Sequence, residues 1–77
     1  MSNQYLEESP AFIIGEIKTA AERVYGRAPD AFIAETLGVT PASVSLWRSG
    51  ARRMSKPTRL LAARIVAALQ VAAHPRG

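Results

Sequence analysis

Apolar residues recur at three- and four-residue spacing in four separate runs, which is the period of one face of a helix. In the first run Ile13, Ile17, Ala20, Ala21 and Val24 share a side, and Glu16, Lys18, Glu22 and Arg23 occupy the other. Ser9 and Pro10 supply an N-cap hydroxyl and a first-turn proline, and Gly26 supplies an exit. An amphipathic helix from Pro10 to about Tyr25 is expected, serving as a wall of the core. The second run is Phe32, Ile33 and Leu37, within a helix opened by Pro29. Asp30 lies near the positive end of that helix dipole, where an acid is favourable. The third run is Val44 and Trp47, within Pro41 to Ser49. The fourth begins at Pro57 and reaches about Ala73, and twelve of the fourteen residues from Leu60 to Ala73 are apolar. The fold class read from these runs is all-α, in one small domain over residues 9–73. Residues 1–8 are expected to form a flexible lead-in, and residues 74–77 a tail.

The middle of the chain, Asp30 to Gly50, has the densest local chemistry. Ala34 is small where the second helix must pass close to the third. Gly38 follows four residues later, where the chain must turn and a positive φ is often needed. Thr40 is placed to cap the next helix, and Pro41 takes its first position, where no amide hydrogen is required. Val44 and Trp47 turn inward, and Gly50 closes the segment.

Ala34, Gly38, Val44 and Trp47 at this spacing resemble the helix-turn-helix of the lambda repressor and Cro-like (Xre-type) DNA-binding family. The resemblance implies a four- to five-helix lambda repressor-like bundle, with Pro41–Ser49 as the recognition helix. Turning 100° per residue from Val44 puts Ala42, Ser45, Leu46 and Ser49 on the outward side, with Ser43 and Arg48 on the flanks. Base-facing roles are therefore expected for Ala42, Ser43, Ser45, Leu46 and Ser49. The sequence departs here from the family's habit of long Gln, Asn or Arg side chains at such positions. Ala42 and Leu46 suit thymine methyls, and the serines suit short hydrogen bonds. Modest direct readout is expected, with affinity from phosphate contacts and part of the specificity from DNA shape.

Charge sharpens that expectation. Residues 1–36 hold three basic and six acidic side chains, whereas residues 37–77 hold seven basic ones and no acid. A half-chain without an acid, starting at the turn, is the electrostatic footprint of a polyanion partner. The loop Ala51 to Lys56 reads ARRMSK and follows the recognition helix directly. Thr40, Arg48, Arg52, Arg53 and Lys56 are the expected phosphate contacts, and the start of the last helix offers a further phosphate site.

Composition narrows the rest. There is no cysteine, and His74 has no clustered partner, so no metal site or other cofactor is expected. No nucleophile–base pair or glycine-rich phosphate loop is present, so an enzyme is not expected, nor a small-molecule ligand. No run of eighteen apolar residues and no secretory leader is seen, which makes a cytoplasmic location, without membrane association, the expectation.

A last helix apolar almost all round must be covered on more than one side. Either a second copy covers it, through Leu60, Leu61, Ile65 and Leu69, or it is a central helix wrapped by the other three. The resemblance to the lambda repressor and Cro-like family implies a homodimeric repressor binding an inverted repeat in double-stranded DNA, of the kind found at phage or mobile-element promoters, its own included. The alternative is an antitoxin-type interaction module that binds a partner toxin through the last helix.

Overall fold

In the computed structural model, residues 8–73 are described, so the expected tail and all of the expected lead-in except Glu8 lie outside the described residues. Four helices follow one another: α1 (Pro10–Tyr25), α2 (Asp30–Leu37), α3 (Pro41–Ser49) and α4 (Lys56–Ala73). The architecture is all-α.

Local chemistry sets most of the boundaries. Ser9 Oγ accepts the Phe12 amide at 3.1 Å, with Pro10 opening α1. Thr40 Oγ1 accepts the Ser43 amide at 3.2 Å, with Pro41 opening α3. Ser55 Oγ accepts the Thr58 amide at 3.4 Å, so α4 starts at Lys56, one residue before the proline that marks it in the sequence. α2 starts differently from expectation. Pro29 is extended, at φ −69° and ψ 160°, and stands before the helix as a cap without a side-chain hydrogen bond. Asp30 is the first helical residue.

α2 and α3 end in the same way. Gly38 has φ 71°, and its amide donates to Glu35 O at 3.2 Å while Val39 N donates to Ala34 O at 2.9 Å. Gly50 has φ 82°, and its amide donates to Trp47 O at 3.1 Å while Ala51 N donates to Leu46 O at 2.9 Å. Each pair satisfies two carbonyls that a helix end leaves open. An added Cβ at Gly38 would meet nothing within 4 Å, so its left-handed backbone, not crowding, favours glycine there.

α1 is the central element. It packs along α4 on one side and against α3 on another, and α3 packs also on α2. Ile13, Ile14, Ile17, Ile33 and Val44 are the largest fully buried side chains. Ala34 is 2% exposed at the α2–α3 approach. Tyr25 meets Phe32 edge-on, with ring centroids 5.3 Å apart, across the α1–α2 corner. Lys18 reaches from α1 to Ala28 O at 3.4 Å and to Glu22 at 3.4 Å, one helical turn on.

The last helix corrects one expectation. α4 turns Ala62, Val66 and Leu69 into the core, so Leu69 belongs to the single chain's own packing and not to an outer face. Ile65 is half-buried against the same core. α4 is not wrapped by the other three helices. Leu60, Leu61 and Val71 stay exposed on it. The expected lead-in also loses Glu8, whose carbonyl accepts a hydrogen bond from the Arg59 guanidinium at the start of α4. Among the described residues no helix is long and apolar enough to cross a membrane.

Candidate nucleic-acid interface

α3 buries Val44 and Trp47 and leaves Ala42, Ser45, Leu46 and Ser49 exposed. The outward face is therefore made of methyl groups, short hydroxyls and one leucine. Ser49 Oγ donates to Leu46 O at 3.1 Å, which ties that hydroxyl to its own helix. Thr40 Oγ1 and Ser43 Oγ lie 3.2 Å apart at the N-terminus, next to the capped amide of Ser43.

Two arginines border this face, one on each flank, and they behave differently. Arg48 turns towards α2, where its guanidinium meets the Asp30 carboxylate in a two-pronged pair, with Nη1 donating to Oδ2 at 2.9 Å and Nη2 donating to Oδ1. This pair joins the last turn of α3 to the first residue of α2. Arg48, expected as a phosphate contact, is thus held in an internal ion pair at the surface.

The pair has a pH signature. The hydrogen bond from Arg48 holds the Asp30 carboxyl below the ordinary carboxylate range. A lowered folded-state pKa means the stabilisation is present at neutral pH and is lost as pH falls through that lowered value. Arg48→Gln is expected to cost about 1 kcal/mol or less at pH 7, as an exposed pair does. Urea midpoints of wild type and variant should converge in acid, once Asp30 is protonated. A difference that persists in acid would contradict this role for the pair.

Arg52 turns the other way. The chain leaves α3 at Gly50 and runs back beside it, and Arg52 Nη1 donates to Ser43 Oγ at 2.6 Å. The loop that carries it is pinned at three points. Trp47 Nε1 donates to Arg53 O at 3.1 Å, Met54 is 4% exposed in the core, and Arg59 Nε donates to Met54 O at 3.0 Å. A basic segment with buried anchors presents its charges from a fixed backbone. Arg52, Arg53 and Lys56 are exposed along it.

The residues expected at the interface therefore fall into groups. Ala42, Ser43, Ser45, Leu46 and Ser49 lie on α3, which Thr40 caps, and Arg52, Arg53 and Lys56 adjoin it on the pinned loop and at the start of α4. Arg48 is diverted to Asp30. Leu60 and Leu61 lie apart on α4, where Leu60, Ala63, Arg64 and Ala67 line a shallow, mostly apolar cleft. Two features were not anticipated. Met54 anchors the loop, and its one signal was a lone apolar residue between basic ones. The Asp30–Arg48 pair spans eighteen positions and has no local spacing to reveal it. Comparison of the chain with models of protein families, with curated proteins and with solved structures finds no match.

Proposed function

We propose that this chain is a sequence-specific regulator that binds double-stranded DNA, with α2, its turn and α3 acting as a helix-turn-helix and α3 laid in the major groove. The observation that carries the reading is the outward face of α3. It is small and uncharged, yet it is bordered by a pinned basic loop, in a half of the sequence that holds no acid. Such a face costs little in water, and its small side chains also let a helix lie close in a groove. Arg53 and Lys56 would neutralise phosphates and release their counterions. Ala42 and Leu46 would meet thymine methyls, and Ser45 and Ser49 would add short polar contacts.

A second copy completes the proposal. α4 leaves Leu60 46%, Leu61 38% and Val71 74% exposed, on a chain small enough to gain from association. Two copies joined there would present two α3 helices roughly 34 Å apart to an inverted repeat. Occupation of a promoter in the cytoplasm is the regulatory mechanism that fits this reading. The same exposed leucines favour a second reading, in which α4 docks on a different protein, such as the toxin of an antitoxin pair.

Selection of bound duplexes from a random library, at about physiological salt, tests the proposal. An inverted repeat with half-site centres about 10 base pairs apart is the expected product. A single half-site would keep DNA binding and remove the dimer. No enrichment of any sequence would overturn the proposal and favour a protein partner.

A further inference from the structure

The exposed face of α3 lacks a long hydrogen-bond donor of its own. Ala42 and Leu46 have none, the serine hydroxyls are short, and Arg48, the one guanidinium on the helix, is engaged by Asp30. The loop brings a guanidinium to this face from outside the helix. Arg52 is nine residues from Ser43 in sequence, yet its Nη1 donates to Ser43 Oγ at 2.6 Å. Ser43 lies in the first turn of α3, on the flank next to Leu46 and opposite Arg48.

We infer that Arg52 is a base-reading residue that recognises a guanine in the major groove, and that Ser43 is the positioning residue that holds it there. The inference rests on α3 lying in that groove, and it reassigns Arg52 from the phosphate role its loop position suggests. A guanidinium has five N–H donors in a planar fork. One hydrogen bond to Ser43 leaves the other donors to meet guanine O6 and N7 as a pair, which is the commonest specific contact of an arginine with DNA. The N-terminal part of a recognition helix enters the groove most directly, and Ser43 places the fork beside that part. Trp47 and Met54 hold the loop backbone that delivers it, so the donor arrives pre-organised instead of searching from a mobile segment. Arg53 is linked to α3 through its carbonyl, which Trp47 fixes, and not through its guanidinium, so it keeps the phosphate role.

Library selection with wild type, Arg52→Ala, Arg52→Lys, Ser43→Ala and Arg53→Ala separates these roles. Wild type should enrich a guanine at one position of each half-site. Both Arg52 variants should lose that preference by at least about fivefold while keeping the remaining pattern, because lysine retains the charge but not the fork. Ser43→Ala should relax the same position and no other. Arg53→Ala should keep the whole pattern and bind every duplex more weakly. If Arg52→Ala retains the guanine preference and weakens all duplexes alike, Arg52 is a phosphate contact and the inference is wrong, with DNA binding intact. If Ser43→Ala leaves the preference unchanged, the positioning role is wrong. If wild type enriches no sequence, the DNA-binding proposal fails and the inference falls with it.

Discussion

Trp47→Ala is expected to remove a large part of the domain's stability. The indole is 5% exposed and joins three things at once. It fixes α3 to the core, fills the space beside Val44, and donates from Nε1 to Arg53 O at 3.1 Å to hold the basic loop. Truncating a buried aromatic to alanine costs about 3–5 kcal/mol. A 77-residue chain has a total stability of only roughly 4–12 kcal/mol, and small cores lie towards the lower end. The thermal midpoint should fall by more than about 12 °C. Trp47→Phe separates the two contributions. It keeps much of the apolar contact and loses the indole donor, for an expected cost of about 1 kcal/mol from the hydrogen bond. Far-UV circular dichroism against temperature and urea measures both. An unchanged midpoint in Trp47→Ala would mean that α3 is not held to the core through this residue.

Leu46→Glu should do the reverse, leaving the fold intact and removing DNA binding. Leu46 is 36% exposed at the middle of the outward face of α3. A polar replacement at such a position changes stability by roughly 0.5 kcal/mol or less. A carboxylate there would face the negative field of the groove without a partner, and like-charge juxtaposition costs several kcal/mol. Duplex affinity should fall on the order of a hundredfold or more, with the melting temperature lowered by no more than about 4 °C. Fluorescence anisotropy on a selected duplex, beside a melting curve of the same preparation, gives both values. Full affinity in a folded Leu46→Glu protein would mean that this face does not meet DNA.

The helices and their ends were legible because they depend on neighbours in sequence. Ser9 with Pro10, Thr40 with Pro41, and Gly38 and Gly50 each act through backbone groups within about a turn, so residue type alone announces them. Pro29 shows where local chemistry is ambiguous. A proline suits the position before a helix as well as its first position, and here it takes the former. Contacts between distant residues were not legible. Nothing near Arg48 in sequence indicates Asp30, and nothing near Arg52 indicates that the loop doubles back to Ser43.

Which side of α4 is buried in the single chain was not legible, for a different reason. A run of apolar residues argues for cover on several sides, but much of this run is alanine. Ala67 and Ala68 are exposed, and a methyl group in water costs little. Within the single chain the helix buries one stripe, Ala62, Val66 and Leu69, and packs mainly on α1. Leu69 joins that stripe because it lies at helical spacing from the two others, while Leu60 and Leu61 lie off it. α1, read as one wall of the core, holds Ile13, Ile14 and Ile17 at the centre because both α3 and α4 pack on it.

The central claim is that the outward face of α3 and the loop behind it meet duplex DNA. The most direct test is a ¹⁵N–¹H correlation spectrum of the labelled protein, recorded while a selected duplex is added. The expected result is that amide shifts concentrate in residues 40–56, with α1 little changed. Shifts confined to the outer side of α4, or an unperturbed α3 at saturating duplex, would contradict it.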